Sequence, residues 1–158
     1  MIITEEEKKL ICIESDSFLR KMYGNNTKED RKKFAQYYTP PSLVIKLIEN
    51  FSCTREQFSK MTILDPTCGS GNLLIGCLLC GANPNNIYGV ELDTHIFYDV
   101  LIPRLQNLYK DHKWKFNRNH FHIGDATNEE CLKIENFTEN YKFIDGKVSF
   151  EVEDIFSL

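Results

Sequence analysis

The sequence lacks an excess of positive charge and any long apolar run. Its 19 Lys and Arg residues are outnumbered by 23 Asp and Glu residues, and the net charge of −4 argues against DNA binding through bulk electrostatics, although a local basic patch could still serve. No apolar stretch approaches the roughly 20 residues of a membrane-spanning helix. The acidic start, Met1 to Glu7, also differs from the basic start of a secretory signal. We therefore expect a cytoplasmic protein that has no membrane partner.

The sequence also lacks a clear pattern of metal ligands. Cys77 and Cys80 have the spacing of a metal-binding pair, but no second pair follows at a distance typical of zinc sites, and both lie in an apolar run. The four histidines offer no better ligand set. We expect buried free thiols at these cysteines and no metal site.

The length and hydrophobic content of the chain suffice for one domain. The 158 residues are 42% hydrophobic, which is enough to bury a core. Residues Thr4 to Glu7 form a capping box that predicts a helix of about five turns, which is expected to pack against the domain through Leu10, Ile13 and Phe18. A mixed-charge run follows and predicts a solvated linker. We assign residues 1–33 to an N-terminal helix and linker, and residues 34–158 to the main domain.

The segment from Ile63 to Leu74 predicts a strand, a tight loop and the start of a helix. A short apolar run ends in Asp65, and the loop that follows has glycines at positions 69 and 71 before an apolar run resumes. Glycines allow backbone angles closed to other residues and let a ligand approach the main chain, while the helix start presents free N–H groups. Such a loop is also common where only packing is needed, so a second signal is required to assign a cofactor.

The second signal is Glu91, which ends the next predicted strand, from Ile87 onward. It stands twenty residues after Gly71, the placement at which an acid can accept both hydroxyls of a ribose. Leu74 replaces the third glycine of a dinucleotide-binding loop, and the Lys-Ser/Thr pair of a triphosphate-binding loop is absent. The ligand is therefore expected to contain a ribose but need not contain a phosphate.

Four segments, in order, resemble those of adenine-N6 DNA methyltransferases, especially the branch related to type I modification subunits. They are Asp65-Pro66-Thr67-Cys68-Gly69-Ser70-Gly71 with Asn72-Leu73-Leu74, the upstream Phe34-Ala35-Gln36-Tyr37-Tyr38-Thr39-Pro40-Pro41, and the downstream Gly89-Val90-Glu91-Leu92-Asp93 and Gly124-Asp125-Ala126-Thr127. The upstream segment has Ala35 where the family usually has glycine. The resemblance implies an α/β, Rossmann-like three-layer core behind N-terminal helices.

The resemblance also implies S-adenosylmethionine as the cofactor and assigns its contacts. The loop residues would be Asp65, Thr67, Gly69, Gly71, Asn72 and Leu73. Glu91 would bind the ribose, Asp125 would accept a hydrogen bond from the adenine amino group, and Leu92 and Ala126 would flank the ring. Tyr38 and Thr39 would close the methionine end.

The family's catalytic segment is missing from these residues. Family members carry Asn, Asp or Ser followed by Pro-Pro and an aromatic residue at the end of a fourth strand, where an oxygen and a carbonyl accept the hydrogens of the target amine and the aromatic ring stacks on the flipped base. The five prolines are at positions 40, 41, 66, 84 and 103, so none follows Pro103. We expect no catalytic residue in this chain and no activity by the chain alone.

The fold is accordingly expected to be shortened after its third strand. Residues 141–152 predict a hairpin with a type I′ turn at Asp145-Gly146. Without strand four, strand one would be an open edge, which natural proteins rarely tolerate. We expect the hairpin, a second copy in a homodimer, or another subunit to cover it.

Three functions remain open on the sequence. The chain could be part of a split methyltransferase in which a second chain supplies the catalytic loop and contacts DNA. It could be a non-catalytic decoy or inhibitor, possibly phage-encoded, that engages a restriction or other host defence complex. It could also keep the pocket without binding anything.

Overall fold

The computed structural model describes residues 1–24 and 38–128, together with the strands 141–144, 147–150 and 155–157. The predicted linker and the turn at Asp145-Gly146 lie outside these residues, and the division of the chain at residue 33 stays a prediction. The helices are α1 (Glu5–Gly24), α2 (Pro41–Glu49), α3 (Arg55–Lys60), α4 (Asn72–Leu79) and α5 (Ile102–Asp111). The strands are β1 (Thr62–Asp65), β2 (Ile87–Glu91), β3 (Phe121–Ile123), β4 (Tyr141–Ile144), β5 (Lys147–Phe150) and β6 (Ile155–Ser157).

The main sheet is parallel and has the strand order β3-β2-β1-β6. Every residue of β2 is buried, and so are the last three residues of β1, which is why both strands are apolar without alternation. In β1 and β2, Asp65 pairs with Gly89, and in β2 and β3, Glu91 pairs with Ile123. The order is that of one half of a doubly wound sheet, and the predicted Rossmann-like α/β fold is confirmed.

The prediction for the edge of β1 was wrong in one respect. The predicted hairpin exists, because β4 pairs with β5 in antiparallel fashion, but it forms a separate two-stranded sheet. The edge of β1 is instead covered by β6, which runs parallel to it with Phe156 opposite Ile63. A strand of the same chain supplies backbone hydrogen bonds without the entropy cost of association. Because β6 covers this edge of β1, the edge gives no reason to expect a homodimer or another subunit there.

Helix α1 begins at the predicted capping box. The Thr4 N–H donates to Glu7 Oε1 (2.9 Å) and the Glu7 N–H donates to Thr4 Oγ1 (3.2 Å). The buried face of α1 differs from the predicted one: Leu10 and Ile13 are exposed, whereas the residues turned inward are Ile11, Ser15 and Phe18. Their spacing of four and three residues forms a stripe along one side of a helix. Within the described residues no helix is long and apolar enough to cross a membrane.

Two helices have irregular N-terminal regions. Thr39 does not cap α2, because the residue at the N-cap position is Pro40 and no side chain provides a cap bond. The helix after β2 has a π-helical segment, Ile96–Leu101, which passes into α5 just before Pro103. A proline has no N–H to continue the regular ladder, so irregular winding next to it is expected. At the end of α4, Gly81 has the positive φ of 96° expected for a C-terminal cap.

Candidate functional site

The loop between β1 and α4 is held by its own main chain. The Cys68 N–H donates to the Val90 carbonyl of β2 (2.9 Å), and the Gly71 N–H donates to the Cys68 carbonyl (2.8 Å). Gly69 and Gly71 have φ values of 53° and 90°, which favour glycine. A Cβ at Gly71 would also stand 3.0 Å from Leu101 Cδ1. The predicted strand, loop and helix are therefore present, with both glycines where the backbone needs them.

Glu91 stands at the carboxyl end of β2, directly beside this loop. Its side chain is buried, with 5% of the residue exposed. Oε1 accepts a hydrogen bond from the Gly69 N–H (3.0 Å), and Oε2 accepts one from the Asp93 N–H (2.8 Å). Each carboxylate oxygen can accept more than one hydrogen bond, so a fixed carboxylate of this kind retains acceptor capacity for ligand hydroxyls.

Of the two predicted methionine-end residues, Thr39 lies beside the start of α4, whereas Tyr38 packs against α1 and the segment after β2. The Asn72 side chain donates from Nδ2 to the Thr39 carbonyl (2.6 Å), which places Thr39 next to the loop. Tyr38 is partly buried, and its hydroxyl forms a hydrogen bond with Ser15 of α1. Within the loop, Thr67 is exposed, whereas Leu73 is partly buried and packs against the main core.

The predicted adenine-side residues lie at the ends of β2 and β3. The Gly124 N–H donates to the Glu91 carbonyl (3.0 Å), which brings the end of β3 next to that of β2. Leu92 is 68% exposed and lines a shallow hollow with Glu91 and residues 93–95. Asp125 is exposed, and Ala126 is partly buried. Hydrogen bonds from the Thr127 hydroxyl and N–H lower the pKa of Asp125.

Asp65, the last residue of β1, is almost fully buried, with 1% of the residue exposed. The pKa of its carboxyl is raised to about 7, chiefly by burial and to a smaller extent by the charge of Glu91, with the hydrogen bond from the Thr67 N–H opposing the rise. The ordinary pKa is 3.8. The folded protein therefore binds a proton at Asp65 more tightly than the unfolded chain does.

This proton affinity makes Asp65 a source of pH-dependent stability. Its contribution is complete below pH 3.8, the unfolded pKa, and is lost as the pH rises through the folded pKa of about 7. Asp65→Asn removes this pH dependence. We therefore expect the free energy of unfolding of the variant, relative to that of the wild type, to increase by on the order of 2–4 kcal/mol as the pH rises from 4.5 to 8. Urea unfolding at several pH values measures it, with the exposed Asp16→Asn as the control. A stability difference between Asp65→Asn and wild type that does not vary with pH would contradict this.

The cysteines are free thiols in the described residues, and Cys77 and Cys80 are both buried. Burial raises the pKa of the Cys80 thiol to about 12 and that of Cys77 well above its usual range. Within the part of the chain that the structure describes, no group of three or more His, Cys, Asp or Glu side chains could hold a metal ion.

The sequence analysis missed Arg104, a buried residue of α5 that reaches the loop. Its Nη1 donates to Asn72 Oδ1 (2.6 Å) and to the Ser70 carbonyl (3.0 Å). Burial lowers the pKa of this guanidinium to about 10. A signal was available, since Arg104 shares the helix face that carries the buried residues Val100, Leu101, Leu105 and Leu108. A charged residue within an apolar stripe needs buried partners.

Comparison with known proteins assigns the chain to a family. The model of the family described as N-6 DNA Methylase matches residues 18–103, more than half of the chain. The match includes the site residues from Tyr38 to Leu92 but not Asp125 or Ala126. The Type II methyltransferase M.VspI from Vibrio sp. (strain 343) is 32% identical over 91 residues, which are 57% of this chain. The chain covers only 21% of the length of that relative.

A solved structure shows a weaker likeness. The crystal structure of protein PH1948 from Pyrococcus horikoshii, named as an RNA methyltransferase, has 23% sequence identity and a TM-score of 0.47. The likeness covers 77% of this chain and 52% of that chain. The family match rests on the sequence alone and spans the loop, Glu91 and the segment at Thr39. The chain belongs to the N-6 DNA methylase family.

Proposed function

We propose that the chain binds S-adenosylmethionine at the carboxyl ends of β1, β2 and β3. The observation that carries this proposal is the Glu91 carboxylate, which is buried and fixed by the Gly69 and Asp93 N–H groups at a distance of 3.0 and 2.8 Å. A carboxylate held in this way at the end of the second strand suits the two hydroxyls of a ribose. The family relationship supports S-adenosylmethionine as the nucleoside that carries this ribose.

The other predicted residues fit the two ends of such a ligand. The exposed Leu92 offers an apolar surface to an adenine ring, with Ala126 as its partner and Asp125 as the acceptor for the amino group. Gly69, whose N–H meets Glu91, has no side chain that would keep a ligand away from the main chain of the loop. At the other end, Thr39 borders the start of α4, and Thr39 and Tyr38 would together enclose the methionine part.

We propose that the reaction served by this site is methylation of adenine N6 in DNA, with S-adenosylmethionine as the methyl donor. The transfer needs a group that accepts the hydrogens of the amine, and the 158 residues contain no Pro-Pro segment after Pro103 to supply it. Because β6 runs parallel to β1, with Ser157 opposite Leu64, an acceptor segment that follows a strand in this position would lie beside the loop. We infer that the acceptor comes from outside these residues, for example from a second chain.

The experiment that tests this function uses S-adenosylmethionine with a labelled methyl group and mixed-sequence DNA. We expect the 158-residue chain to retain labelled cofactor after desalting and to transfer none of it to DNA, while a complete DNA adenine methyltransferase serves as the positive control. Incorporation above background would show that an acceptor exists within the 158 residues. Failure to retain cofactor would contradict binding, and retention without transfer in the presence of an acceptor-bearing chain would favour a decoy.

A further inference from the structure

We propose that Arg104 is a positioning residue that couples the docking of α1 to the shape of the cofactor site, so that α1 controls cofactor affinity. The inference rests on the proposed function, because it concerns affinity for S-adenosylmethionine. It adds a role for α1 and for two residues, Glu14 and Arg104, that lie outside the residues matched by the family model.

On the side of the site, Arg104 contacts the end of the loop and the first residue of α4. It donates to the Ser70 carbonyl and to Asn72 Oδ1. The same Asn72 side chain donates to the Thr39 carbonyl through Nδ2. One amide group thus has its oxygen fixed by Arg104 and its nitrogen fixed on Thr39, so a shift of the guanidinium changes both the loop and the segment that borders the methionine end.

On the side of α1, Arg104 meets a carboxylate and an aromatic ring. Its Nε and Nη2 lie 3.4 and 3.3 Å from Glu14 Oε1, and its guanidinium carbon stands 3.8 Å from the centre of the Phe18 ring. A second tie runs in parallel, since the Ser15 hydroxyl bonds to that of Tyr38. Glu14, Ser15 and Phe18 of α1 therefore each contact Arg104 or Tyr38.

The charges explain why the two sides are coupled. The Arg104 side chain is 7% exposed, and Glu14 is the carboxylate paired with it, at 29% exposure. The acceptors near the loop, the Ser70 carbonyl and Asn72 Oδ1, are neutral and do not balance the charge of Arg104. Glu14 of α1 balances it, so α1 helps to hold the guanidinium against these acceptors. If α1 must be docked for the site to bind tightly, then bound cofactor must in turn favour docked α1, because coupling free energies are reciprocal.

The test measures the dissociation constant of S-adenosylmethionine by calorimetry for Glu14→Gln, Arg104→Lys and the double variant. We expect Glu14→Gln and Arg104→Lys each to weaken binding by about tenfold, as the loss of one charge-assisted hydrogen bond would do. Lysine keeps the charge, but its single ammonium group cannot bond to Glu14 on one side and to Ser70 and Asn72 on the other, as the planar guanidinium does. The double variant is expected to be only slightly weaker than either single variant, because both changes break one network.

Two controls separate positioning from general loss of stability. Asp16→Asn changes an exposed acid of α1, and Phe58→Leu weakens the core at α3; neither is expected to change the dissociation constant. Hydrogen exchange of α1 is expected to slow when the wild type is saturated with cofactor. Wild-type affinity in both Glu14→Gln and Arg104→Lys, or unchanged exchange in α1, would overturn the coupling. A wild type that does not bind would overturn the proposed function instead.

Discussion

Replacing Glu91 with glutamine is expected to weaken the binding of S-adenosylmethionine by about 100-fold. The change removes the charge from the group proposed to accept both ribose hydroxyls, and the loss of two charge-assisted hydrogen bonds corresponds to roughly 3 kcal/mol. The amide of glutamine also points an NH₂ group at one of the two N–H donors, that of Gly69 or that of Asp93, which now meet carboxylate oxygens. Calorimetric titration of the wild type and the variant measures the difference.

The matched control is Glu6→Gln, which makes the same chemical change on an exposed position of α1 and should leave the affinity unchanged. Urea unfolding of Glu91→Gln without ligand shows whether the variant is folded at the temperature of the titration. Equal affinities of a folded Glu91→Gln and the wild type would remove Glu91 from the binding site and leave the proposal without its main support.

A large loss of stability is expected when Gly76, in the middle of α4, is replaced by alanine. A Cβ at this position would stand 2.4 Å from Val44 Cγ1 and 3.2 Å from Ile48 Cδ1 of α2. Alanine ordinarily favours a helix by about 1 kcal/mol relative to glycine, but here it would push α2 away from α4. We expect Gly76→Ala to lower the free energy of unfolding by about 2 kcal/mol, because overpacking of a rigid β-branched neighbour outweighs the gain in helix propensity.

Equilibrium unfolding in urea measures this change, and two variants sharpen it. Gly24→Ala places the same methyl group where no atom of the described residues lies within 4 Å, and should change stability little. Val44→Ala removes the clashing methyl groups, so the double variant Val44→Ala/Gly76→Ala should be less destabilised than the sum of the single variants. A neutral Gly76→Ala would show that the helices can separate at little cost, and additive effects would show that the Val44 methyl groups are not what destabilises the variant. Because α2 begins two residues after Thr39, a separation of the helices would also move Thr39 relative to the loop.

The centre of the fold was predictable because its signals are local. The strand, loop and helix from Thr62 to Leu79 carry an apolar run, an acid and two glycines within a short segment, and the structure forms them as predicted. The same holds for β2, whose residues Ile87 to Glu91 match the predicted strand. In each case the residues that determine the element also lie within it.

The features that the sequence did not predict depend on tertiary contacts. Strand β6 has three residues, too few for a periodic pattern, and its place is decided by pairing with β1 far away in the chain. The buried face of α1 was misjudged because Leu10 and Ile13 are apolar yet exposed, while Ser15 is polar yet buried against Tyr38. Arg104 has buried acceptors on two other segments, and no local pattern indicates which acceptors it will meet.

The most direct test of the central claim is a calorimetric titration of the wild-type 158-residue chain with S-adenosylmethionine. We expect saturable binding of one molecule per chain, and S-adenosylhomocysteine, which keeps the ribose and adenine, should compete for the same site. No measurable binding, or binding that S-adenosylhomocysteine does not affect, would contradict the assignment of the hollow beside Glu91 as a site for this cofactor.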